Sequence, residues 1–269
     1  MTTSGAGFAF SLTLAAGLAT GIGSALALAA RRTNTRFLAA ALGFSAGAMI
    51  WVSFAEILRK AQEALATALG ERAGAWAAAG AFFGGVALAA AIDRLVPEAG
   101  NPHEPRGPED MRAGDLLPRR ALLRVGLVSA AALGIHNFPE GMATFLAALE
   151  APRLGVPVAM AVAIHNVPEG IAVAVPVFHA TGSRAKAFGW SFLSGLAEPA
   201  GALVGFALLR GLEGVEVLGV VFGMVAGIMV FVSLDELLPA ARRYGEHHVA
   251  VYGLFAGMAF TAAGLLLIP

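Results

Sequence analysis

The sequence predicts an all-α polytopic membrane protein, a single transmembrane unit over residues 1–269 with eight transmembrane helices. Three observations predict it. Charged residues are only 13% of the chain and apolar residues 58%, whereas a soluble domain carries about 25% charged residues. The apolar residues fall into eight runs, each able to supply the ~20 residues a helix needs to cross a ~30 Å hydrocarbon core. None of the runs alternates apolar with polar residues at period two, so they are helices rather than barrel strands. The mean hydropathy of +0.75 agrees, and a pI near 7 leaves no basic patch for nucleic acid. Cysteine is absent, which excludes disulfides, thiolate metal sites and cysteine nucleophiles. Any metal on this chain is held by nitrogen and oxygen.

The spans run in order. The first, 7–30, ends in ALALAA, which resembles a signal-cleavage site. A secretory signal has a basic n-region; MTTSGAG has none, and Arg31 and Arg32 follow the run, so the segment is read as a retained helix. The second and third spans are 37–58 and 74–95. A stretch rich in Pro, Gly and charge, 96–120 (PEAGNPHEPRGPED within it), is read as a flexible loop, too short and polar for a domain. Spans four to eight are 121–148, 154–179, 187–210, 215–240 and 248–268. Basic residues set the orientation. Arg59, Lys60, Arg72, Arg153 and Arg210 flank the loops of one side, and the other thirteen of the 18 lie on the opposite side. That richer side is cytoplasmic, the 96–120 loop with it, and both termini face outward from a cytoplasmic membrane.

An internal repeat runs through spans two and seven. AGAMIWVSFAEIL (46–58) and AGIMVFVSLDELL (226–238) agree at seven of 13 positions, including Ser53 and Glu56 against Ser233 and Glu236. The two spans run in opposite directions, so the pair is read as an inverted-topology repeat, a transporter architecture.

A second repeat carries the chemistry. Residues 136–141 read HNFPEG and residues 165–170 read HNVPEG, on consecutive spans. In a helix of 3.6 residues per turn, His136 and Glu140 share a face, and Asn137 and Glu140 share another; His165, Asn166 and Glu169 repeat the pattern. Each motif falls near the middle of its span, so the antiparallel neighbours can meet at one depth. Pro139 and Pro168 withhold the hydrogen bonds to the Ile135 and Ile164 carbonyls, which predicts a bend with room between the helices. Carboxylates at the bilayer centre cost about 2.5–3.5 kcal/mol each on insertion scales, and two facing each other repel or share a proton. A divalent cation removes both difficulties, and this donor set suits Zn²⁺, Fe²⁺, Mn²⁺ and Co²⁺. The alternative is a pair of polar packing kinks. Two copies at one depth favour a metal or proton pathway.

Glu198, in SGLAEPAG of span six, belongs to the same cavity or is a protonated packing glutamate. Glu56 and Glu236, with Asp235, are entrance and exit ligands or helix-end charges; Asp93 and His179 are candidates for the exit side. His103, His247 and His248 are read as solvated surface, and Trp51, Trp76, Trp190 and Tyr252 as packing or interfacial residues.

HNFPEG and HNVPEG resemble the signature of the ZIP family of divalent-metal transporters. LGFSAGAM…SFAEIL, VAIHNVPEGIAVAVPV, SGLAEPAG and AGIMVFVSLDELLP are similar to bacterial members across nearly the whole chain. The resemblance implies eight helices arranged three, two and three, the repeat (spans 1–3 and 6–8) enclosing spans four and five. It implies a paired site: His136, Glu140, His165 and Glu169 in one subsite, and Asn137, Glu140, Asn166, Glu169 and Glu198 in the other, with both hexapeptide glutamates bridging. It implies import of divalent ions, zinc first, then iron(II), manganese, cobalt and cadmium, with no resident cofactor and no enzymatic activity. Partners are the ions and the bilayer, and small-residue helix faces leave a homodimer open. The rival readings are an intramembrane metallohydrolase and a proton-coupled solute carrier. The first lacks the H-E-x-x-H spacing of a zinc protease; metal binding separates the second.

Overall fold

A computed structural model describes residues 3–29, 35–95, 119–150, 152–211, 215–244 and 247–267, all but a few of them helical. Residues 96–118 of the proline-rich stretch, with His103, lie outside the described residues, as do Arg31 and Arg32. So do the side chains of His136, His165 and His247, although their backbones are helical.

Eleven helices are described: α1 (Thr3–Ala29), α2 (Thr35–Val52), α3 (Leu58–Leu69), α4 (Glu71–Leu95), α5 (Arg119–Glu150), α6 (Pro152–Thr181), α7 (Arg184–Gly195), α8 (Ala197–Gly211), α9 (Val215–Val232), α10 (Leu238–Tyr244) and α11 (His247–Leu267). Six stretches of the described residues are long and apolar enough to cross a membrane. The fourth and sixth runs of the sequence correspond to α5 and to α7 with α8.

Two boundaries differ from the sequence reading. The second span does not stop at residue 58. A π-helical segment, Ser53–Ile57, carries the chain from α2 into α3, which ends eleven residues later than expected at Leu69. The α3 extension is amphipathic: Ala61 and Leu65 are buried while Gln62 and Glu63 face out, and its buried side packs on α4 and α9. Gly70, with φ +85°, ends it in a conformation that other residues rarely adopt. Arg59 pairs on this exposed surface with Glu63 and, at 3.2 Å, with Glu56. An exposed pair of this kind contributes under ~0.5 kcal/mol, so Glu63→Ala should leave the thermal midpoint in detergent unmoved.

The other difference is in span six, which is broken. A turn at Leu196 separates α7 from α8. Pro199 has no N–H to offer the Gly195 carbonyl and its ring crowds that carbonyl, so α8 starts afresh with Glu198 in its first turn. The Leu196 N–H still bonds the Phe192 carbonyl at 3.1 Å, which holds the two pieces in line.

The sequence repeat acquires a structural counterpart. A second π segment, Ser233–Leu237, joins α9 to α10. In both copies the residue after the segment donates its N–H to the serine carbonyl five positions back, Leu58 to Ser53 and Leu238 to Ser233. π turns are rare and cluster at functional positions; here both begin at the Ser of the S-x-x-E pattern.

The helices pack in two groups. α1, α5, α6, α7 and α8 form one; α2, α3, α4, α9, α10 and α11 form the other. The second group is held by glycines that let backbones touch. A Cβ at Gly47 would lie 1.9 Å from the Leu254 carbonyl, and one at Gly257 would lie 1.8 Å from that of Phe44, across α2 and α11. Gly85 and Gly227 do the same across α4 and α9, at 2.1 and 2.0 Å. Close approach through small residues is how helices associate where no hydrophobic driving force acts between them. The groups meet where α6 packs on α2 and α11, and more sparingly where α5 meets α9.

Candidate metal site

The repeated hexapeptides and the broken sixth span place five buried polar residues on α5, α6 and α8. α5 contributes Asn137 and Glu140, α6 contributes Asn166 and Glu169, and α8 contributes Glu198. All five are buried, none more than 8% exposed. Burying that many polar groups in apolar helices is costly without mutual hydrogen bonds, and the described bonds cross between helices. Asn166 donates from its amide nitrogen to Glu198 Oε1 and, at 2.8 Å, to the Ala16 carbonyl of α1. Asn137, with its nitrogen facing acceptors, donates to Glu169 Oε2 at 3.2 Å and to the Leu133 carbonyl at 3.0 Å. In the opposite orientation the nitrogen reaches the Ser194 carbonyl at 3.5 Å; the first orientation gives both ends of the amide partners.

Each amide therefore spends its donor end on a carboxylate of another helix. That leaves amide oxygens as acceptors. The Asn166 Oδ1 is buried and has no hydrogen-bond partner among the described residues. A buried acceptor without a donor needs an explanation, and a cation beside the carboxylates supplies one.

The described bonds join four residues of one expected subsite in two pairs, Asn137 with Glu169 and Asn166 with Glu198; Glu140 is buried on α5. The other subsite drew on His136 and His165, whose side chains lie outside the described residues. Among the described residues no three His, Asp or Glu side chains group tightly enough to hold a metal by themselves. Glu140, Glu169 and Glu198 do not form such a group.

α5 and α6 run on as helices through Pro139 and Pro168. The break comes at Leu196, ahead of Pro199. Proline still withholds a donor from the Ile135 and Ile164 carbonyls.

Several contributors were not singled out from the sequence. α1 lines the cluster through the Ala16 carbonyl. Two turns on, Ser24 Oγ reaches the Gly170 carbonyl at 3.3 Å and bonds Ser191 Oγ, which itself donates to Gly170 at 3.2 Å. Gly170 directly follows Glu169, so two serines from α1 and α7 clamp the backbone beside it. Thr20, Ser24, Ser191 and Ser194 are single hydroxyls in apolar runs, and spacing alone does not separate them from helix-packing serines.

The outlying candidates are dispersed. Glu56 is half-buried and pairs with Arg59. Glu236 is buried, whereas Asp235 is exposed and lies near enough to feel the charge of Asp93. His179 meets the Phe178 ring edge-on, and His248 stacks on Tyr252. Trp51, Trp76 and Trp190 are exposed.

Comparison with known proteins adds two findings. A family model described as ZIP Zinc transporter matches residues 98–264. The chain is 60% identical over 260 residues to a protein of Corynebacterium efficiens named zinc transporter ZupT, with 97% of each chain covered. Proteins of the same name from Nitratidesulfovibrio vulgaris and Clostridium perfringens are 59% and 53% identical, over 96% of this chain and 96% and 95% of theirs.

Proposed function

This chain belongs to the ZIP zinc transporter family, and on that premise we propose that it takes up divalent metal cations, zinc first, across the cytoplasmic membrane. It is a multi-pass membrane protein and a transporter rather than an enzyme. The observation that carries the site is the pair of buried amide–carboxylate bonds that cross between helices, Asn137 to Glu169 and Asn166 to Glu198. In this reading Asn137, Glu140, Asn166, Glu169 and Glu198 replace the ion's water on one side and His136 and His165 join Glu140 and Glu169 on the other. Iron(II), manganese, cobalt and cadmium are accepted by the same nitrogen and oxygen donors.

The finer architecture belongs to the proposal as well. Eight spans, three, two and three, with spans 1–3 and 6–8 as an inverted repeat, account for the twin π segments and for the glycine-packed pairs α2/α11 and α4/α9, which exchange under that relation. Both termini then face outward and the 96–120 stretch is cytoplasmic, as the basic residues direct. Alternating access follows from movement of the group carrying the cluster against the other.

Reconstituted protein is expected to move radiolabelled zinc into proteoliposomes above the level of empty vesicles, with competition by the other four ions. Zinc flux indistinguishable from empty vesicles, with folded protein, would overturn the proposal.

A further inference from the structure

The joint between the two helix groups is closed on one side and open on the other. On the closed side, Ser45 of α2 donates to the Ala161 carbonyl of α6 at 3.0 Å. Gly264 of α11 also sits against the Pro157 ring, where an added Cβ would lie 2.9 Å from the ring. On the open side a cavity of about 680 Å³ separates α5 from α4 and α9. Extending the alignment of 46–58 with 226–238 by one residue places Val225 opposite Ser45. Val225 lines the cavity and makes no counterpart of the Ser45 bond.

The walls identify the contents. Leu88, Ile135, Phe138, Met142, Met224 and Val225 form half of them, and none of the described lining side chains is polar. Water needs two to four polar partners to stay in such a space, and close-packed protein does not keep a void of this size. Ile135 lies 16 residues into α5, ~24 Å along it at 1.5 Å per residue, and 15 residues from its other end. The groove is therefore at the depth of the hydrocarbon core. Ile135, Leu88 and the neighbouring Phe83 are 50%, 42% and 67% exposed, so its mouth gives onto the surface that lipid covers. The medium at that mouth is acyl chain.

We propose that a lipid acyl chain seats in the groove between α4, α5 and α9, beside Pro139. Ala131, Gly134, Phe138 and Met142 present one helical face of α5 to it, spaced three to four residues apart, while Asn137 and Glu140 take the opposite face toward α6 and α8. One helix thickness, ~10 Å, separates the acyl chain from the polar cluster. The chain fills the gap that protein fills on the other side, so it sets how closely the two helix groups approach.

The test needs no transport readout. The protein is reconstituted in phosphatidylethanolamine and phosphatidylglycerol vesicles doped with a phosphatidylcholine bearing a mid-chain diazirine, irradiated, and mapped by mass spectrometry. Met142 and Met224 are expected to be labelled several-fold more than Phe255 and Leu266, which are exposed on α11 and do not line this groove. A Cβ at Gly134 meets nothing within 4 Å, so Gly134→Leu reaches into the groove without a clash and should strip most of the label from both methionines while leaving Phe255 unchanged. Ala131→Leu, at an exposed wall position, repeats this if Gly134→Leu folds poorly. Uniform labelling, or labelling that ignores both fillers, overturns the proposal. So does low labelling at both methionines, whether the groove is then empty or, as chain-to-chain links from photo-methionine at position 142 would report, covered by a second copy.

Discussion

Glu140→Ala and Glu169→Ala are each expected to bring zinc uptake by proteoliposomes down to the level of empty vesicles. Each glutamate is proposed to serve both subsites, so a single substitution removes a ligand from two places at once. Even residues that only hydrogen-bond a metal's ligands are worth about 10–100-fold in affinity, and loss of a shared ligand costs no less. Thermal stability should respond the other way. A carboxylate in the bilayer interior carries an insertion cost of about 2.5–3.5 kcal/mol, and Glu140 is 1% exposed and Glu169 8%. Removing either relieves that cost, while Glu169→Ala also strands the buried Asn137 amide that donates to it, so the midpoint in detergent without added metal should hold rather than collapse, and the midpoint gained on adding zinc should shrink. Uptake at the normal rate by both variants would sink the assignment. Loss of uptake accompanied by a large fall in the metal-free midpoint would make the glutamates structural.

What the sequence made legible was set by what each signal measures. Apolar runs measure solvent, so they located the spans closely; α1, α4, α5, α6 and α11 begin and end within a few residues of the runs. They do not measure hydrogen bonding, so the chain gave no sign of a π turn at Ser53 or Ser233. Nor do they follow a helix into water, which is why the amphipathic α3 was cut at residue 58. Pro199 was noticed as a neighbour of Glu198, yet three prolines sit inside α6 without breaking it. Whether a proline breaks a helix depends on what re-satisfies its freed carbonyl, and that is a tertiary matter. The candidate site was legible, Glu198 apart, because its residues repeat at i, i+1 and i+4 within a motif. The hydroxyl clamp on Gly170 and the carbonyl of Ala16 have no such signature: one is single serines on separate helices, the other is backbone.

Gly141→Ala is the second large effect, and it tests geometry rather than ligand chemistry. Gly141 follows Glu140 and lies against the backbone of Glu198; a Cβ there would fall 2.1 Å from the Glu198 carbonyl oxygen and 2.4 Å from its Cα. Neither atom belongs to a flexible side chain, so α5 and α8 must separate by about 1 Å to reach the 3.0 Å below which real Cβ contacts essentially do not occur. Overpacking of this kind costs about 1–3 kcal/mol. The displacement also falls between Glu140 and Glu198, so zinc uptake should drop together with the thermal midpoint. The control is on the same helix. Gly134 is two turns away and its Cβ would meet nothing within 4 Å. An alanine there escapes the crowding and recovers part of the ~0.8–1.0 kcal/mol by which glycine disfavours a helix interior, so Gly134→Ala should be neutral or mildly stabilising and should transport normally. Equal behaviour of the two alanines would mean that α5 and α8 tolerate separation at the cluster, and that the close approach at Gly141 does not hold Glu198 in place.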